Sequence, residues 1–144
     1  MIPSFKPGIM SSNRIRAAGG GVDVTPNAVD WANVGSLTTT IATTSMQQIT
    51  GISQSITLRI SWTTSGGTVT LGYSLNSTNT YSQTASLTSS PTDITVSNNQ
   101  WLGFRSSYVS GAGNVLTTFT ITNVSDNNTT LDTVVLTVGS GSGG

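Results

Sequence analysis

The chain has 144 residues, of which 35% are hydrophobic and only 7% charged, and its formal net charge is zero. It contains no Cys, no His and no Glu. Those absences exclude disulfides, thiolate nucleophiles, zinc sites of the Cys/His kind and a Ser-His-Asp triad, so the expectation is a protein that is no enzyme and holds no cofactor.

Ser, Thr, Asn and Gly take the place of the missing charges. Thr is β-branched and suits a pleated, half-solvated surface, so the composition points to β-structure with a hydroxyl-rich exterior. Zero net charge together with abundant Thr, Val and Ile separates the chain from disordered sequences. A nearly uncharged surface offers little repulsion between copies, which suits a multi-copy assembly; an exported domain with a Ser/Thr surface is the alternative. No apolar run approaches the ~18 residues of a membrane-spanning helix. The opening MIPSFKPGIMSS has two prolines and no continuous apolar stretch, unlike a secretory signal.

In chain order, residues 1–22 read as an extended basic arm. Pro3 and Pro7 disfavour regular structure, and Gly19-Gly20-Gly21 forms a joint. Lys6, Arg14 and Arg16 give this segment +3, with no acidic residue before Asp23. The remainder carries Arg59 and Arg105 against five Asp, 2 − 5 = −3, so the charge divides sharply between the two parts. Ile2, Phe5, Ile9, Met10 and Ile15 are interleaved with the basic residues. Large apolar side chains are rare in a solvated tail, so the arm is expected to be covered by a partner.

Residues 23–138 form the domain. Its first stretch, DVTPNAVDWANVGSL, is a connection in which Trp31 is expected to act as a packing anchor. Strands are expected over Thr39–Ile49, Ile56–Trp62, Val69–Leu75, Tyr81–Leu87, Thr92–Val96, a run around Leu102-Gly103-Phe104, Val115–Ile121 and Leu131–Val138. Ser65-Gly66-Gly67 is expected to close a hairpin between the second and third. Other turns are expected at Asn76–Asn79, Ser89–Pro91, Ser97–Asn99, Gly111–Gly113 and Ser125–Asn128. Seven or eight short strands in such a length predict an all-β fold, a single β-sandwich of immunoglobulin-like arrangement, with a jelly roll as the alternative. Residues 139–144 are a Gly/Ser tail expected to be flexible.

Candidate chemistry in the domain is sparse. Asp23, Asp30, Asp93, Asp126 and Asp132 are the only carboxylates; they are dispersed and mostly in turns, where Asp caps or bends the chain. Asp126-Asn127-Asn128 lacks the spacing and glycine of a calcium loop, so no metal is expected. Among the aromatics, Trp62 is expected in the core, while one of Trp101 and Tyr108 is expected to be exposed and available for stacking on a ligand. Two arginines cannot neutralise a phosphate backbone, so nucleic acid is not an expected partner of the domain. The Asn-x-Ser/Thr sequons are chance matches in a chain this rich in Asn, Ser and Thr.

The segment FKPGIMSSNRIRAA resembles the N-terminal segment of small tailed-bacteriophage virion proteins, and SQSITLRISW and LGYSLN look like strands of β-sandwich modules in phage decoration and fibre proteins. The resemblance implies a virion-surface protein, made in the host cytoplasm, that docks through its arm. The docking positions would be Phe5, Lys6, Pro7, Gly8, Ile9, Ser11 and Ser12, with Arg14, Ile15 and Arg16 extending the contact. It implies the major capsid protein as partner, with tail proteins as the alternative, and a homo-oligomer such as a trimer. An exported carbohydrate-binding module is the reading from a different class.

Overall fold

The computed structural model describes residues 22–141. Its strands are β1 (Val34–Gly35), β2 (Ile41–Thr43), β3 (Gln47–Gln48), β4 (Ile56–Asn76), β5 (Ala85–Leu87), β6 (Thr92–Val96), β7 (Trp101–Asn123) and β8 (Thr129–Val138), with a 3-10 turn over Val124–Asp126. The all-β expectation holds, and β6 has the bounds read from the sequence.

The hairpin expected at Ser65-Gly66-Gly67 does not form. β4 runs through it and stays paired with β7, from Leu58↔Asn123 to Asn76↔Trp101. The Gly111–Gly113 turn is likewise absent as a turn, because these glycines lie within β7 opposite those of β4. Between the pairs Ser65↔Leu116 and Gly67↔Gly111, Gly66 alone faces Ala112, Gly113, Asn114 and Val115. A second irregularity leaves Val109 unopposed. These unequal path lengths bend the strand pair as a unit, since the bulged strand must travel around the outside of the corner. Gly66 sits at φ +92°, and a Cβ there would lie 2.3 Å from the Asn114 carbonyl oxygen. Only glycine permits that approach.

The bend folds one sheet into two layers. In the first, β6 flanks the front half of β4, followed by the back half of β7, then β8 and finally β1, which pairs in parallel with β8. In the second, β5 flanks the back half of β4, followed by the front half of β7 and then β2 and β3. Lettered as in a constant-type immunoglobulin sandwich, the halves of β4 are C and D and the halves of β7 are E and F. β8 is then G, and β2 with β3 is B, which gives layers G-F-C and B-E-D. Here C continues into D, and E into F, through the glycine corner; β5 and β6 are additional edge strands.

Alternation decides which side chains meet between the layers. Leu58, Ile60, Phe119, Ile121, Val134 and Leu136 come from the first layer, and Leu71, Leu102, Phe104 and Ala42 from the second; all are buried. Phe104 and Phe119 belong to opposite layers and stack with centroids 5.1 Å apart. Trp31 meets Phe104 edge-on at 5.3 Å, and its Nε1–H donates to the Leu102 carbonyl at 2.8 Å. The expected anchor role of Trp31 is therefore met: its body fills the core and its one polar atom is satisfied.

The Thr39–Ile49 run divides into β2 and β3. The Thr44 hydroxyl accepts from the Phe104 N–H at 3.0 Å, in place of a ladder carbonyl, and the register against β7 slips by one residue. The Tyr81–Leu87 run pairs only over β5. Before it, Ser82 N–H donates to the Ser74 hydroxyl and Leu75 N–H to the Thr84 hydroxyl, so side chains take over the ladder and fold the segment across β4. Gly139 at the start of the tail is tied through its N–H to the Thr39 carbonyl.

Candidate functional site

The arm positions Phe5, Lys6, Pro7, Gly8, Ile9, Ser11, Ser12, Arg14, Ile15 and Arg16 lie outside the described residues. The segment that follows them does not. Asp23 N–H donates to the Ser53 hydroxyl, Asn123 Nδ2 to the Val24 carbonyl, the Thr25 hydroxyl to Asp126, and Asn27 N–H to the Thr50 carbonyl. Trp31 N–H then donates to Asp132, and Val135 N–H to the Asn33 side chain. Asn, Asp and Ser side chains thus replace strand pairing, which Pro26 would interrupt, and hold residues 23–33 along the sandwich. The root of this strap lies beside the Val124–Asp126 turn, near the Leu58↔Asn123 end of the first layer. The glycine corner is at the opposite end, seven residues further along β4 from Leu58 to Ser65, roughly 23 Å away at strand rise.

At the corner, a groove of about 440 Å³ opens between the layers, lined by Trp62, Thr64, Gly67, Thr68, Val69, Thr70, Leu71, Ser86, Leu87 and Thr88. Trp62 is the residue for which core packing was expected. It does pack against the core but is only half-buried: its ring tilts against Phe119 at 6.1 Å and also borders the groove. Trp62 lies next to the corner, where the groove opens between it and Leu71 and Leu87. Periodicity alone assigned Trp62 to the core; its place just before a Gly-Gly pair was the available sign that the core stops there.

Trp101 and Tyr108, of which one was expected to be exposed, are both half-buried, and alternation along β7 separates their environments. Tyr108 packs against the core and its hydroxyl donates to the Gly111 carbonyl at 2.7 Å. Trp101 opposes Gln48 and Asn76 on the outer face of the second layer. They form no common platform. On that outer face the Arg105 guanidinium lies 4.1 Å from the Tyr81 ring centroid and donates to the Thr43 hydroxyl, a pairing missed from sequence because the partners are 24 residues apart. Burial pushes the Tyr81 phenol up to about 12, with Arg105 pulling the other way.

Three of the five carboxylates have structural partners, but not mainly in the turn role expected, since Asp93 lies in β6 and Asp132 in β8. Asp126 and Asp132 hold the strap, and Asp93 pairs with Arg59 directly across β4 and β6 at 2.8 Å. The hydrogen bond from Arg59 holds Asp93 below the usual carboxylate range and raises Arg59. Both partners are well exposed, so this pair adds little stability and is screened by salt. No cluster of three or more potential metal ligands occurs among the described residues.

No protein-family model and no curated protein matches the chain. Among solved structures, the N-terminal domain of PorA is similar, with a TM-score of 0.40 and 16% identity over 81% of this chain and 90% of that one.

Proposed function

We propose that the chain is a non-enzymatic assembly module of a tailed-phage virion, a capsid-surface decoration or head-fibre protein that docks through its N-terminal arm. The observation that carries this reading is the position of the arm's root. The strap begins at one end of the sandwich, away from the glycine corner, so in this reading that end faces the partner and the corner faces outward. The apolar side chains of residues 1–22 support it, since they call for a grooved protein surface, and the +3 of that segment suits an acidic one. The major capsid protein is the proposed partner, and a homo-oligomer, such as a trimer, the proposed state.

Deleting residues 1–18 tests this. Every strap hydrogen bond described above begins at Asp23 or later, so the truncated chain is expected to fold with an unchanged β-spectrum and to be missing from purified particles of the phage that encodes it. Normal incorporation of the truncated chain refutes arm docking. Copy number per particle then separates a capsid location from a tail-fibre, adaptor or baseplate one.

A further inference from the structure

We propose that the groove at the glycine corner is a binding site for a neutral saccharide. This inference is independent of arm docking, since it concerns the opposite end of the domain. Three features of the groove carry it.

The first is a stacking surface that is held in place. Trp62 is the outermost member of a run of rings, Trp62–Phe119–Phe104–Trp31, with successive centroids 6.1, 5.1 and 5.3 Å apart. Its backbone N–H is fixed by the Ser90 hydroxyl at 2.9 Å. An indole supported from behind presents its free side without the entropy loss that a mobile ring would suffer on binding. The apolar C–H face of a pyranose is the complement of such a ring.

The second is a set of uncommitted hydroxyls. Thr68, Thr70, Ser86 and Thr88 are exposed at the rim of the groove, Thr70 and Ser86 on the outer face opposite to the buried Leu71 and Leu87, and none of the four side chains has a hydrogen-bond partner among the described residues. Each offers one donor and two acceptor positions, which matches sugar hydroxyls, themselves both donor and acceptor. A wholly apolar ligand would leave them unpaired.

The third is the lack of charge. No ionisable side chain lines the groove. A phosphate, sulfate or carboxylate ligand would lose its hydration here with no cation to replace it. The volume lies within the range of small-ligand sites, roughly 300–1,000 Å³, enough for one or two sugar rings.

The test applies the fluorescently labelled full-length chain to an array carrying neutral hexose and N-acetylhexosamine oligosaccharides beside sialylated and sulfated ones. Binding confined to neutral glycans is expected. Trp62→Ala should weaken it at least about tenfold, the effect of losing an aromatic contact of order 1.4 kcal/mol. Because Trp62 also touches the core, Thr68→Arg serves as the second variant: it places a long charged side chain at the rim of the groove, leaves the ring in place, and should abolish binding. Trp101→Ala, on the outer face, should bind as wild type. A blank array, binding restricted to charged glycans, undiminished binding by Thr68→Arg, or loss of binding in Trp101→Ala overturns the proposal.

Discussion

Two glycines of β7 and β4 separate backbone strain from steric approach. Gly66 and Gly113 both have strongly positive φ, +92° and +107°. A Cβ on Gly113 meets nothing within 4 Å, whereas one on Gly66 would lie 2.3 Å from the Asn114 carbonyl oxygen. Alanine at Gly113 therefore brings only backbone strain, about 1–3 kcal/mol, offset by about 0.4–1 kcal/mol from the stiffer unfolded chain. The net loss expected is about 1–2 kcal/mol. Gly66→Ala carries the same strain and must also move the β7 segment by roughly 1 Å, an overpacking cost of about 1–3 kcal/mol. The gap between the variants should be about 2 kcal/mol. Urea denaturation followed by circular dichroism measures it: at an unchanged slope, Gly66→Ala should unfold about 1 M earlier than Gly113→Ala. Equal midpoints would refute the corner, because at the tip of an open hairpin both alanines would pay for conformation alone.

Trp31→Phe keeps a ring against Phe104 but removes the bond to the Leu102 carbonyl, and is expected to destabilise by about 1–2 kcal/mol; Trp31→Ala should lose about 3–5 kcal/mol. Thermal melting ranks them, and a Phe variant as stable as wild type would show that the indole N–H bond contributes nothing. For Tyr81, the folded phenol is pushed up to about 12 from an ordinary 10.0, so the folded state holds its proton more tightly than the unfolded one. The resulting stability is complete below the ordinary tyrosine pKa and is lost as pH rises through the folded value. Phenolate absorbance should show a step near 12 that disappears in Tyr81→Phe; its persistence in that variant would contradict the assignment.

The candidate residues divide by how local their determinants are. Asp126 was readable as a turn residue because a carboxylate beside Asn and Thr finds donors nearby, as from Thr129, but its bond from Thr25 and that of Asp132 from the Trp31 N–H join segments 101 residues apart and were not readable. Trp31 was readable as an anchor because an indole between polar residues can be buried only with its N–H satisfied. Trp62, Trp101 and Tyr108 were harder. Period-two alternation assigns a residue to a face of a strand, but it does not say what lies above that face. Trp62 shares the face of Ile56, Leu58 and Ile60, yet it lies where the groove opens and is only half-buried.

The sequence by itself determined the fold class, the β-forming runs with the bounds of β6, and the absence of the residue types that zinc ligation and triad catalysis require. These follow from composition and from alternation, which act over a few residues. Only the tertiary structure decided that Gly66-Gly67 and Gly111–Gly113 make a corner in two continuous strands. A glycine pair permits a reversal and a bend equally well, and the choice rests on cross-strand pairing between segments some 45 residues apart. Once Gly67 pairs with Gly111, the two layers, the aromatic run and the groove beside Trp62 follow from that single register.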